Sequence, residues 1–260
     1  MKPYRRFVSM TPSGIKSLAK SILPEQFIYL LRGDQKNLKR RPAVGKVRFG
    51  ELRRIQPIDR HFGMKWGQPI DRYYIEKFLL QYANDIRGRV LEIGDNIYTK
   101  RFGCENVTHS DVLHIKEEKP NVTIVADLTK ADHIPSDTFD CIILTQTLQL
   151  IYDVRAALHT LYRIMKPASS LLVTFPGITK IARYDMENWG DCWRFTTFSA
   201  FKLFNEIFPE DCITVKAYGN VLAAVAFLHG MVSQELTREE LDHYDPDFEL
   251  LVTLRAEKSP

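Results

Sequence analysis

From residue 69 onward, short apolar runs rich in β-branched residues alternate with connections of helix length. PIDRYYIEKFLLQYANDI (69–86) predicts a helix, with Ile70, Tyr73, Tyr74, Phe78 and Leu79 near one side. Arg87-Gly88-Arg89 introduces VLEIG (90–94) as a strand, and VTHSDVL (107–113), NVTIVADL (121–128) and FDCIILTQTL (139–148) read as three more. DVRAALHTLYRIM (153–165) is helical in period, Lys166-Pro167 stops it, and SLLVTFPG (170–177) is a further strand. Beyond these, SAFKLFNEIF (199–208) predicts a helix introduced by Thr196-Thr197, ITVKAYGNVLAAVAFLHGM (213–231) a late strand or helix, and FELLVTLRAEK (248–258) a strand at its start. Such alternation predicts an α/β fold, a Rossmann-like doubly wound and mostly parallel sheet covered on both faces. The stretch 178–198 is irregular and aromatic, and is expected to be an inserted lid on a domain spanning 66–260.

Charge separates the remainder of the chain. Residues 1–66 carry 16 Lys and Arg against 4 Asp and Glu, a net of +12; the whole chain carries +4, so the rest carries −8. Residues 1–65 are therefore expected to form a basic N-terminal extension, most linker-like at KNLKRRPAVGKVR (36–48). Within it Ile15, Leu18, Ala19 and Ile22 recur at helical spacing before Pro24, which suits either packing on the main domain or peripheral contact with an anionic membrane. Aromatics are not interleaved with Arg40-Arg41 or Arg53-Arg54, so nucleic acid is disfavoured as a partner. No apolar run reaches membrane-spanning length, and the N-terminus lacks the apolar core of a signal peptide. Cys104, Cys141, Cys192 and Cys212 show no metal-ligand spacing, so no metal is expected and a reducing, cytoplasmic setting is.

Three acidic positions fall where parallel strands should end: Glu92 with Gly94, then Asp111, 17 residues after Gly94, then Asp127. At such ends a doubly wound sheet holds its ligand. A carboxylate after the second strand suits ribose hydroxyls, and one after the third suits an adenine amino group. The first loop lacks the later glycines of a dinucleotide motif, with Asp95, Asn96 and Ile97 in their place. Asp95 would repel a phosphate there, so a phosphate-free adenosyl cofactor fits better than a dinucleotide.

Residues from about 69 to 177 resemble the class I S-adenosylmethionine-dependent methyltransferases of the small-molecule type. The likeness is densest in VLEIGDN, THSDVL, ADLTKADHIPSDTFDCIILTQTLQLIYD and LYRIMKP. His133-Ile134-Pro135 to Phe139-Asp140 stands for the family's stretch before the fourth strand, and Met165-Lys166-Pro167-Ala168-Ser169 for its turn before the fifth. The resemblance implies S-adenosylmethionine as cofactor. It would place Glu92, Gly94, Asp95 and Asn96 along the methionine end, Asp111 and Val112 at the ribose, Asp127 and Leu128 at adenine, and Thr145 and Gln146 beside the sulfonium. One departure matters: where many relatives carry a histidine after the fourth strand, this chain has Leu150 in Leu148-Gln149-Leu150, so no role of that histidine transfers.

Three segments compete for the acceptor. RYDMENWGDCWRFT (183–196) holds Tyr184, Trp189, Asp191, Trp193 and Arg194, and its end resembles the D-x-W-R-F-T stretch of methyltransferases of glycan and sugar-modifying pathways. It reads equally as a sugar-binding surface and as a cap held by an Arg–Asp pair. The pre-strand helix offers Asp71, Arg72, Tyr73 and Tyr74, with Arg72 suited to the methionine carboxylate. YGNVLAAVAFLHGM brings Tyr218, Asn220 and His229. Asp191, His229 and Tyr73 are the candidate bases; Tyr184, Trp189, Trp193, Arg194 and Tyr218 are the candidate acceptor contacts. The expected function is methyl transfer to a small polar acceptor, a hydroxyl of a sugar, glycan or natural product. Two alternatives stay open: an inactive S-adenosylmethionine-binding partner subunit, and a nucleic-acid or membrane-binding module using the basic arm.

Overall fold

A computed structural model describes residues 42, 45–117 and 120–260, and the helix expected over 15–22 lies outside them. Arg54–Pro260 forms one compact unit. Its centre is a seven-stranded sheet of β1 (Gly88–Ile93), β2 (Val107–His114), β3 (Ile124–Val125), β4 (Phe139–Thr145), β5 (Met165–Pro176), β6 (Ile213–Tyr218) and β7 (Leu251–Glu257). The order is β3-β2-β1-β4-β5-β7-β6. β1 to β5 run parallel, while β7 lies antiparallel to both β5 and β6.

Successive strand residues face opposite ways, and each face has its own apolar layer. On one side Val90, Cys141, Ile143 and Leu172 pack against helix α1 (Ile70–Gln81) through Tyr74, Ile75 and Phe78, and against α5 (Val221–Leu228) through Ala223 and Phe227. On the other, Leu91, Ile142, Leu144, Leu171 and Val173 meet α2 (Val154–Ile164) and α4 (Thr197–Phe204) through Leu158, Leu161, Ala200 and Phe204. Two short helices complete the set, α3 (Arg183–Asn188) in the expected lid and α6 (Arg238–Asp242). Each fully buried Leu, Ile or Phe contributes about 1.5–3 kcal/mol, so these two layers dominate the stability. No described helix is long and apolar enough to cross a membrane.

Several elements depart from the sequence expectation. The third strand shrinks to two paired residues, because after Ala126 N–H donates to His114 O the chain turns at Asp127–Lys130. The first crossover is a single π-helical turn, Thr99–Gly103, followed by a 3-10 turn, Cys104–Asn106. The helix over 199–208 ends at Phe204, with Asn205 as its cap. The 213–231 stretch is a strand and then a helix, divided at Gly219, whose φ of +129° no side chain would accept beside Phe248 O. Asn220 then caps α5, accepting from Ala223 N–H and donating to the carbonyls of Glu240 and His243.

Residues 54–65, grouped by charge with the extension, pack on the α/β unit. Asp59 N–H donates to His229 O, and the Phe62 ring stacks on Phe227 at 5.4 Å.

Candidate cofactor and acceptor site

The parallel strands bring their carboxyl ends to one edge, beneath the lid that leaves β5. The first strand end is built around Glu92, 3% exposed. Its carboxylate accepts from Thr99 N–H and the Thr99 hydroxyl, each at 2.7 Å, and from Tyr98 N–H at 3.3 Å. Helix N-termini leave such donors without intrahelical partners, and Glu92 supplies the partner from the preceding strand. Burial pushes the Glu92 carboxyl above its ordinary value, and the Thr99 bonds oppose this. Glu92, expected along the methionine end, holds the loop through these bonds. Asp95 Oδ1 accepts from Asn96 N–H at 2.6 Å, and Asn96 Nδ2 donates to Ser110 Oγ at 3.2 Å. These side-chain bonds organise the loop that in a dinucleotide fold is shaped by glycines. Gly94 alone keeps a φ of +85°, and a side chain there would meet nothing within 4 Å.

The second strand corrects the sequence expectation. Asp111 stands inside β2, level with Leu91 rather than at the edge. Arg89 Nε donates to its carboxylate at 2.7 Å and the Thr123 hydroxyl at 2.9 Å. Val112 is fully buried, and its N–H is also taken by Thr123. The residue at the strand end is His114. Its Nδ1 lies 2.8 Å from the Lys116 carbonyl oxygen and 3.2 Å from the Lys116 nitrogen, so the ring is held at the strand end by the backbone just beyond it. Trp189 of the lid meets its ring edge-on at 6.1 Å. Asp127 is exposed and accepts from the N–H and hydroxyl of Thr129, at 2.9 and 2.8 Å; Leu128 is buried in the core.

At the fourth strand end Thr145 O accepts from the Thr147 hydroxyl at 2.9 Å. Gln146 follows with a φ of +47°, a left-handed conformation costly for a residue with a side chain and held by its N–H bond to Thr174 O at 3.1 Å. Gln149 Nε2 donates to Gln146 O at 2.8 Å, while its buried Oε1 has no partner among the described residues. Gln146 and Gln149 line a cavity of about 70 Å³ with Phe62, Asp71, Lys180 and Asp185, among others.

The lid closes over this cavity by bonds of its own. Arg194 holds Asp191 through both nitrogens, at 2.5 and 2.7 Å, and reaches Lys180 O at 3.2 Å. Cys192 and Trp193 N–H both donate to Gln149 O, and Trp193 Nε1 to Ile151 O at 3.0 Å. Trp193 stacks outward on Tyr152, and Tyr184 is exposed against the edge of Trp189. Asp191 and Arg194 thus form the pair that pins the lid, although both touch the cavity.

Charges converge on its other wall. Asp71 Oδ1 accepts from Arg72 N–H at 2.8 Å. Burial raises the Asp71 carboxyl, with Arg72 opposing. Arg72 bonds Tyr98 of the π turn and feels Asp71 and Asp185, which outweigh burial and hold its guanidinium above the ordinary value. Asp185 is pushed up first by burial and then by Asp191, and Lys180 is pushed down by burial.

The three base candidates fare unequally. Tyr73 donates its hydroxyl to Asp242, which also pairs with Lys77, and Tyr218 stacks on Tyr74 at 5.4 Å; neither lines the cavity. His229 follows α5 and holds Asp59 through its carbonyl, also away from the cavity lining. Asp191 lines it, but bound bidentately to Arg194. Sequence reasoning did not single out Phe62, Gln149 or Lys180, which line the cavity, and passed over Asp185 within the lid. Gln149 stood between the two leucines of the histidine-less window, the one signal that pointed to it.

Residues 96–173 match the methyltransferase domain family. No curated protein matches the chain. Among solved structures, a SAM-dependent methyltransferase from Archaeoglobus fulgidus is 13% identical with a TM-score of 0.47, covering 72% of this chain and 94% of its own. A second, from Mesorhizobium loti, is 16% identical with a TM-score of 0.47 over 73% and 98%. The N-methyltransferase NodS from Bradyrhizobium japonicum WM9, in complex with S-adenosylhomocysteine, is 12% identical with a TM-score of 0.47 over 78% and 97%. The stretch that matches the methyltransferase domain family, residues 96–173, runs from the first crossover through β4 into β5, and the seven-stranded order β3-β2-β1-β4-β5-β7-β6 around it is the Rossmann-like class I methyltransferase fold.

Proposed function

We propose that the protein transfers the methyl group of S-adenosylmethionine to a hydroxyl of a small polar acceptor of the sugar or glycan class. The observation that carries this reading is the polar cavity at the ends of β4 and β5, lined by Gln149, Asp185 and Lys180, where Gln149 Oε1 is buried without a partner among the described residues. A buried unpaired acceptor costs on the order of 1–3 kcal/mol, a cost that a ligand hydroxyl would relieve.

The cofactor supplies an electrophilic methyl on a sulfonium, and the residues of this chain do the rest. Arg72, steadied by Tyr98, suits the methionine carboxylate; the open space at Gly94 and the turned backbone of Gln146 leave room for the chain that follows. Thr145 stands with Gln146 at the sulfonium. His114, at the end of β2, would meet a ribose hydroxyl in this reading instead of Asp111, with Asp127 and Leu128 bordering adenine. Asp185 is the carboxylate placed to take the acceptor's proton, in a cleft from which the lid excludes water. Holding the reactants in line contributes much of the rate.

Incubation with carbon-13-methyl S-adenosylmethionine and a panel of glycosides, read by NMR, tests this. A labelled O-methyl product is expected. A labelled N-methyl or C-methyl product, or no transfer to any glycoside, would contradict the hydroxyl assignment.

A further inference from the structure

Three polar groups of the cavity remain unspent. Gln149, 6% exposed, commits its amide N–H to Gln146 O and leaves Oε1 without a partner. The Asp185 carboxylate interacts with Arg72 and Lys180 through charge, and no hydrogen bond reaches it among the described residues. The Lys180 ammonium sits 3.4 Å above the Phe62 ring centroid, a cation–π contact that leaves its N–H donors available. The residues that carry them, Gln149, Asp185 and Lys180, line one cavity, and Phe62 and Phe227 supply its apolar side.

Charge decides what fits between them. Arg194 is spent on Asp191, and the remaining Asp71, Asp185 and Lys180 put both signs of charge around the cavity. A neutral group that both donates and accepts satisfies both signs. One hydroxyl can donate to Gln149 Oε1 or Asp185, but not to both, while its oxygen accepts from Lys180. Two adjacent hydroxyls serve all three side chains. A cavity of about 70 Å³ takes that pair and part of the carbon frame, not a whole disaccharide.

We propose that Gln149 Oε1, Asp185 and Lys180 form a subsite for a vicinal diol of the acceptor, with Phe62 against its ring. This deepens the proposed methyltransferase function and rests on it. Gln149 is the specificity residue of the subsite, and no other buried group in the cavity is left without a partner among the described residues.

The test uses the full chain saturated with S-adenosylhomocysteine and two chemical probes, cis-1,2-cyclohexanediol and cyclohexanol. Binding is followed through the nitrogen-15 side-chain amide signal of Gln149, assigned from Gln149→Met. The diol is expected to bind about tenfold more tightly than the mono-alcohol, the equivalent of one good buried hydrogen bond. Asp185→Asn is expected to remove most of that preference with S-adenosylhomocysteine affinity unchanged. Gln149→Met, followed by calorimetry, is expected to do the same. Equal affinities, a preference that survives both variants, or no response of the amide signal while S-adenosylhomocysteine binds would overturn the subsite alone. Failure of the unmodified chain to bind S-adenosylhomocysteine would overturn the underlying function with it.

Discussion

Glu92 Oε2 accepts both hydrogen bonds that Thr99 can donate, from its N–H and from its hydroxyl, each at 2.7 Å. One carboxylate thereby joins the end of β1 to the π-helical turn of the first crossover. The loop between them needs no run of glycines because its shape is set by Glu92, Asp95 and Asn96.

Glu92→Ala would leave two N–H groups and a hydroxyl without their acceptor in a buried setting. A loss of about 3 kcal/mol in unfolding free energy is expected even without cofactor, by denaturant titration at an unchanged slope. Unchanged stability in the absence of ligand would mean that Glu92 serves the cofactor and not the loop. The pH dependence carries a sign. The folded protein holds the Glu92 proton more tightly than the unfolded chain, whose carboxyl titrates near 4.5. Its contribution is therefore full below that value and lost as pH rises through the raised one. Glu92→Gln is expected to remove this decline, so the stability difference from wild type narrows toward neutral pH.

The Asp191–Arg194 pair makes a second prediction. Asp191 has a side chain 3% exposed and Arg194 one 30% exposed, and together they tie residues 180–182 to the second half of the lid. Asp191→Ala is expected to cost about 2 kcal/mol, less than a fully buried pair because Arg194 regains water. Hydrogen exchange should quicken within 178–194 and leave the sheet protected. Arg194→Lys should not restore protection, since an ammonium cannot bind both carboxylate oxygens at once. Uniform loss of protection across the sheet would show that the pair supports the whole domain.

The sheet was legible because its strands alternate between two buried faces, so that Val90 and Leu91, or Cys141 and Ile142, find apolar layers on opposite sides. Positions within strands were less so. The chemistry of Asp111 suggests a strand end, whereas pairing carries β2 three residues further to His114. Val122, Ile124 and Ala126 alternate as a strand would, yet only Ile124 and Val125 pair, and nothing in an apolar run announces where its partner stops. The cavity was hardest to read, since its walls come from Phe62, Asp71, Gln149, Lys180 and Asp185, on five separate segments. Phe62 was grouped with the basic extension because charge was counted there, while its place is decided by stacking on Phe227.

Asp185 makes the third prediction, in kinetics. Burial and the neighbouring Asp191 hold its carboxyl above the ordinary value of 3.8. The ionised form is the one able to take a proton, so kcat/KM for a methylated glycoside should rise with pH through that raised value. Asp185→Asn should lose this limb and reduce kcat by about 10²–10⁴-fold, the usual span for a positioned base. A limb that persists in Asp185→Asn would assign the proton to another group.

The central claim is that an adenosyl cofactor lies across the carboxyl ends of β1, β2 and β4. Calorimetric titration of the full chain with S-adenosylhomocysteine, alongside His114→Ala and Asp111→Ala, tests it most directly. One-site binding is predicted, weakened about tenfold by His114→Ala and changed less than about threefold by Asp111→Ala. No binding to the unmodified chain, or weakening by Asp111→Ala alone, would contradict it.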